Sequence, residues 1–179
     1  MAYDFKEFKT NTEAATEWLR KEYTGLNTGR AMPAILDSVL VEAYGSKVPI
    51  NQLATVSVED PKTLRIAPWD TSVAKDIDRA IRESNLGLSV ALDSTGLRLS
   101  FPALTSERRT ILAKLAKEKL EEARIKVRGE RQKVLNDIDK EDLGEDEVKR
   151  AKAELQKLVD EANKRLEDLA AGKEAEIAG

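Results

Sequence analysis

The sequence predicts an α+β protein in which a small β/α/β sandwich domain interrupts an antiparallel three-helix bundle. Three observations point there. Apolar residues recur at three- and four-residue spacings in the first 26 residues and again through most of 105–178, the period of amphipathic helices. Between those stretches, residues 35–101 break into short β-branched or alternating runs closed by turn residues. Charged side chains make up 35% of the chain and aromatic ones 4%, which suits long helices with solvated outer faces.

The first helix is predicted from Phe5, Phe8, Thr12, Ala15, Leu19, Tyr23 and Leu26, a narrow stripe of the coiled-coil kind. Gly29 is the expected stop, and Pro33 opposes resumption. Four strands are expected: Val39–Tyr44, Thr55–Val58, Thr63–Ile66 and Leu97–Phe101, each bounded by Gly, Pro or acidic turn residues. Val73, Ile77, Ala80 and Ile81 mark one helix among them, with Thr71 or Ser72 as its cap. Thr105 is the expected cap of a second long helix carrying Leu112, Ala116, Leu120, Ala123, Val127, Val134 and Ile138. An acidic loop follows. The last helix sets Val148, Ala151, Leu155, Leu158, Ala162, Leu166 and Leu169 in a 3–4 repeat.

Burial dictates how these pieces combine. An isolated helix is marginal in water, so the first stripe needs helical partners, and only the two carboxy-terminal helices offer seams of the same period. Residues 1–29 and 105–179 are therefore expected to form the bundle, with 30–104 inserted as the small domain. The connections at 28–33 and 102–105 read as a hinge, with Gly29, Arg30, Ala31, Leu104 and Thr105 at its centre.

Several classes of function are disfavoured. There is no His and no Cys, which removes the commonest general base, the commonest metal ligand and any thiol nucleophile. The carboxylates of 137–147 do not fit a calcium loop, since Asp142 stands where Gly is needed and Val148 where Glu is needed. No phosphate-binding Gly loop or nucleophile elbow occurs. An enzyme, a metal site and a cofactor are thus not expected. No apolar run approaches the roughly 20 residues of a membrane span, and Met1–Lys6 lacks the layout of a signal peptide, so a cytoplasmic location is expected; the expected oligomeric state is a monomer. Trp18 and Trp69 are read as packing residues rather than stacking platforms.

The net charge of −3 conceals an asymmetry. From Arg108 to Lys133 ten basic residues accompany four acidic ones, whereas Asp137–Glu176 holds fourteen acids and eight bases. Lys117, Arg124, Arg128 and Arg131 fall within about 60° of one another around the second long helix, forming one basic row. Arginine forks on a rigid rod suit the phosphates of RNA. The same side chains could instead pair with acids of the third helix, and spacing does not decide between the two. A structural adaptor that binds a partner helix and a carboxylate-based hydrolase are the other readings.

The motifs narrow the choice. Thr28-Gly29-Arg30-Ala31-x-Pro33, Tyr44-Gly45, Pro49-Ile50-Asn51-Gln52-Leu53-Ala54 and Pro61-x-Thr63-Leu64-x-Ile66-x-Pro68-Trp69-Asp70 resemble signatures of the ribosome recycling factor family. So do Ala80-Ile81-x-x-Ser84-x-Leu86-Gly87-Leu88, Leu104-Thr105-x-Glu107-Arg108-Arg109, Glu122-Ala123-Arg124-x-x-Val127-Arg128 and Lys173-Glu174-x-Glu176. The resemblance runs in order over nearly the whole chain. It implies an L-shaped protein whose bundle binds the large ribosomal subunit, and whose small domain elongation factor G, using GTP, drives against the intersubunit bridge. It also implies that Arg124, Arg128 and Arg131 contact large-subunit ribosomal RNA. The sequence departs from the family pattern at Asn27, Ser89-Val90, Gly129-Glu130 and Gln132, which reduces the charge of the basic row.

Overall fold

The computed structural model describes residues 2–179. The elements in chain order are α1 (Lys6–Thr24), β1 (Leu40–Ala43), β2 (Ser46–Pro49), β3 (Ala54–Asp60), β4 (Thr63–Pro68), α2 (Ala74–Glu83), β5 (Ser89–Asp93), β6 (Gly96–Ser100), α3 (Ser106–Lys140) and α4 (Glu145–Ala178). Short 3₁₀ turns occur at Pro33–Leu36, Ile50–Gln52 and Thr71–Val73. The chain divides into two compact units, Met1–Tyr23 with Arg109–Gly179, and Thr24–Arg108.

The first unit is a bundle of α1, α3 and α4. Its axis pairing follows from contacts that run in opposite chain directions. Tyr23 meets Ala116 and Asn11 meets Glu130, so α1 is antiparallel to α3. Arg124 meets Glu167, and the carboxy-terminal Gly179 lies beside Arg109, so α3 is antiparallel to α4. The seven apolar residues expected to face inward from α3 are its seven buried residues. Thr105 caps this helix, its Oγ1 accepting from the Arg108 N–H at 3.0 Å.

Departures within the bundle have physical causes. Helix α1 stops at Thr24, ahead of Gly25, rather than running to Gly29. Leu26 therefore lies beyond the helix, while Thr16 joins the buried face by returning its hydroxyl to the Thr12 carbonyl at 3.1 Å. On α4, Leu169 and Val148 are only half-buried. The seam continues instead through Leu166, Ala170, Lys173 and Ile177. The extra four-residue step compensates for the drift of a 3.6-residue helix against a 3.5-residue repeat.

The second unit is built on a four-stranded antiparallel sheet in the order β3-β4-β6-β5, with a separate β1–β2 hairpin. One sheet face supplies Ala54, Leu64, Ile66, Leu97 and Leu99 to a core closed by Val41 and Ala43 of the hairpin and by Val73, Ile77 and Ile81 around α2. Strands β2 and β5 escape prediction. Strand β2 contains Lys47 and ends in Pro49, and β5 is almost wholly exposed, so neither shows the alternation that a half-buried strand writes into sequence. Each is held by its neighbour's register instead, Val41↔Val48 and Val90↔Leu99. Neither Thr71 nor Ser72 caps the helical segment that follows β4. Asp70 does so, accepting from the Ser72 N–H at 3.0 Å.

Two glycines are required by geometry. A Cβ on Gly96 would lie 2.2 Å from the Ile66 carbonyl oxygen, so only glycine lets β6 close against β4 there. Gly29 adopts φ +81°, and its Cβ position is 3.3 Å from the Pro102 carbonyl oxygen.

Candidate nucleic-acid interface

Helix α3 is 35 residues long, a rod of about 52 Å at 1.5 Å per residue. Its buried stripe fixes its rotation within the bundle, and that rotation decides what each cation can reach. Lys117, Arg128 and Arg131 are exposed, and Arg124 is about one-third exposed. The four form one row, as their spacing requires.

Their partners differ. Arg124 reaches Glu167 on α4 at 3.5 Å and Glu121 at 3.9 Å, so interhelical pairing applies to this residue. Arg128 bonds Glu121 of its own helix at 3.0 Å, with two-thirds of its side chain in water. Exposed pairs of this kind contribute about 0–1 kcal/mol and exchange readily for another anion. Among the described residues, Lys117 and Arg131 make no ion pair. The row therefore consists of two unengaged cations and two whose carboxylate partners are at least half exposed or close to it.

A second column of cations lies on the other side of the seam, about 180° away. Lys119 pairs with Glu22 at 3.3 Å, Lys126 stands over the Trp18 ring at 3.6 Å, and Lys133 bonds Glu130 at 3.1 Å. Lys119 and Lys126 join α3 to α1, whereas Lys133 pairs within α3, with a glutamate that itself bonds Asn11 of α1. Trp18 is thus a packing residue, half-buried between helices. Trp69 departs from the same expectation: it is 67% exposed, its indole N–H donating to Thr55 Oγ1 at 3.1 Å.

Glu130 interrupts the apolar stripe between Val127 and Val134. Its carboxylate accepts from Asn11 Nδ2 at 2.9 Å and pairs with Lys133, with only 17% of the side chain exposed. Sequence periodicity shows a missing apolar residue at this turn, but the partner on α1 is visible only in the fold. Gly129 is exposed, and nothing lies within 4 Å of the position a Cβ would take.

The residues expected to form the hinge all fall inside the unit Thr24–Arg108. Ala31 is buried, its N–H donating to the Pro61 carbonyl at 2.9 Å. Arg30 is exposed, Leu104 is half-buried against Gly29, and Thr105 serves as the α3 cap. Asn27, one of the departures, accepts from the Gly29 N–H and donates to the Leu86 carbonyl, each at 3.0 Å. It therefore shapes the turn into Gly29.

Among the described residues no group of three or more acidic side chains is placed to hold a metal ion. No helix among them is long and apolar enough to cross a membrane.

Fold and helix surface together define a two-unit α+β protein that presents a rigid row of cations along one bundle helix. A family model for the ribosome recycling factor matches residues 19–178. The chain belongs to the ribosome recycling factor family, a family of translation factors. The ribosome-recycling factor of Symbiobacterium thermophilum is 45% identical over 176 residues, covering 96% of this chain and 95% of that protein. That of Novosphingobium aromaticivorans is 44% identical over 181 residues, covering 99% and 98%. A solution structure of the ribosome recycling factor superposes with a TM-score of 0.79 at 40% identity, covering 97% of this chain and 95% of the other. Models of the T. thermophilus ribosome recycling factor and the E. coli elongation factor G bound to the E. coli post-termination complex include a chain similar to this one. The TM-score is 0.67 at 41% identity, covering 98% of this chain and 97% of that one.

Proposed function

We propose that this protein releases ribosomes from mRNA at the end of translation by splitting the post-termination complex together with elongation factor G and GTP. The observation that carries this reading is the span of the family match, which runs through residues of both units. Lys117, Arg124, Arg128 and Arg131 bind phosphates of large-subunit ribosomal RNA. Lys117 and Arg131 are free to do so directly; Arg124 and Arg128 exchange their carboxylates for phosphate. Gly29, Arg30, Ala31, Leu104 and Thr105 form the hinge through which motion applied to the small unit is transmitted. The protein works in the cytoplasm as a monomer without a cofactor, and it catalyses nothing itself; elongation factor G supplies the GTP hydrolysis.

The test is a light-scattering assay of post-termination ribosomes. Splitting should require this protein, elongation factor G and GTP together. GTP or ester hydrolysis by the purified protein alone would overturn the non-catalytic role, and intact ribosomes in the complete mixture would overturn the recycling role. Spin labels placed in the two units, with one distance distribution that stays narrow on and off the ribosome, would overturn the hinge.

A further inference from the structure

Helix α3 carries 18 charged side chains among its 35 residues, and seven others are buried. Its outer face over 125–136 departs from that composition. Ile125, Gly129, Gln132 and Asn136 are all exposed and all uncharged, Ile125 at 57%. They stand at i, i+4, i+7 and i+11. At 100° per residue they fall within about 60° of one another and about 180° from the buried stripe. One exposed isoleucine is ordinary. Four uncharged residues in line on so charged a helix make a surface.

The stripe borders the basic row and is kept clear of acids. Arg128 lies three residues after Ile125 and four before Gln132, so it neighbours both on the helix surface. Glu130, the one acid among residues 125–136, turns inward, its carboxylate on Asn11 of α1 and only 17% of its side chain exposed. Gln132 Nε2 donates to Asn136 Oδ1 at 3.0 Å. That bond orients both amides and leaves Gln132 Oε1 as an acceptor and Asn136 Nδ2 as a donor. Between Ile125 and the amides, Gly129 brings bare backbone to the surface, with nothing within 4 Å of where a Cβ would stand. A glycine there lowers helix stability and lets a ligand approach the backbone closely.

These features match one part of an RNA. An A-form helix presents a wide, shallow minor groove displaying 2′-hydroxyls, each both donor and acceptor. A straight rod with two oriented amides and an apolar contact fits that groove, and arginines beside it suit the adjoining phosphates. Unpaired bases are held instead by aromatic stacking, and α3 contains no Phe, Tyr or Trp. We infer that Ile125, Gly129, Gln132 and Asn136 lie along the minor groove of a base-paired segment of large-subunit ribosomal RNA and recognise its 2′-hydroxyl edge. The inference rests on the RNA-binding reading of the row and names the part of the RNA that the helix reads. Gly129 and Gln132 are positions at which the sequence departs from the family pattern, so the stripe in this form is the chain's own.

The experiment compares wild type with Gly129→Ala, which adds one methyl group to the stripe, and with Gln132→Ala/Asn136→Ala, which removes both amides. The first should melt above wild type and the second close to it, since all three positions are exposed. Each should bind isolated large subunits about tenfold more weakly, as loss of one or two polar contacts requires. The factor should be the same at every salt concentration, because an uncharged contact releases no counterion, whereas substitutions in the row change the slope. Hydroxyl-radical footprints, which report ribose exposure, should show a base-paired RNA segment that wild type protects and both variants re-expose. Wild-type affinity in either variant would overturn the inference, as would protection confined to unpaired nucleotides. A changed salt slope would assign the effect to the row, and lost affinity with an unaltered footprint would set a protein against the stripe; either result rejects the groove. Wild-type protein that fails to bind large subunits would remove the RNA-binding reading itself, a result distinct from a defect confined to the variants.

Discussion

The ammonium of Lys126 stands 3.6 Å from the centroid of the Trp18 ring, and Lys119, two helical turns earlier, stands 5.7 Å from the same ring. Two cations of α3 thus approach the indole, and each contact of this type contributes about 0.5–2 kcal/mol according to how far it is desolvated. This pairing separates the cations of α3 by role. In the column on one side of the seam Lys119 and Lys126 join α1 to α3, whereas the row from Lys117 to Arg131 faces away from α1.

That division predicts opposite phenotypes on the two sides. Lys126→Met should lower stability by about 0.5–2 kcal/mol through loss of the ring contact and leave affinity for large subunits unchanged. Trp18→Leu should remove the same coupling, so a double-mutant cycle between the two should return a coupling energy of that size. Ribosome affinity that falls with Lys126→Met while melting stays constant would reassign the column to RNA.

Arg131→Ala and Lys117→Ala remove cations that hold no ion pair in the fold. Each should change stability by less than about 0.5 kcal/mol. Each should also reduce the slope of log affinity for large subunits against log salt by about one unit. Arg124→Ala should show both effects, a small stability loss from its Glu167 contact and a flatter salt slope. The checks are thermal melts and binding titrations across salt concentrations.

Gly129 sits in the interior of a long helix, with open space where a side chain would begin. Gly129→Ala should therefore stabilise the protein by about 1 kcal/mol, read as a higher denaturant midpoint at unchanged slope. Gly96→Ala should do the reverse. Its Cβ would strike the Ile66 carbonyl at 2.2 Å, and the loss should exceed about 3 kcal/mol, with the β unit losing structure first.

Alkaline stability should depend on tyrosine. Tyr3 donates to Asp137 at 3.0 Å, and burial together with that carboxylate raises its pKa to about 12. Burial also raises that of Tyr23, whose hydroxyl donates to the Ala116 carbonyl at 2.8 Å. The folded protein keeps these protons at pH values where the unfolded chain, titrating near pH 10, has lost them. Unfolding is then favoured as pH rises, so the contribution is complete below about pH 10 and disappears towards pH 12. Tyr3→Phe should flatten that decline in a pH series of denaturant melts. An unchanged decline would show that the hydroxyl contributes nothing to it.

The bundle was legible in the chain because each of its helices carries its own burial pattern. Leu112 to Ile138 on α3 repeats at three and four residues, and a repeat of that kind has one inward face whatever the partner. The acidic interruption at Glu130 was legible as a gap and not as a contact. Its partner Asn11 is 119 residues away, and nothing local records the pairing. The insertion of the small unit followed from the same logic, since the α1 stripe needed distant partners to bury it.

What periodicity could not convey was anything decided by a neighbour. Strand β5 has hardly a buried side chain, and it is a strand because Val90 lies opposite Leu99. Asp70 rather than Thr71 or Ser72 became the cap because the turn after Pro68 placed its carboxylate against the Ser72 N–H. The basic row is the clearest case. Sequence alone determined that Lys117, Arg124, Arg128 and Arg131 share one side of a helix, because 100° per residue is a property of the backbone. Only the tertiary structure decided that Arg124 leans on Glu167 while Arg131 stands free. An ion pair depends on which acids the facing helix presents at that height, and bundle packing alone sets that register.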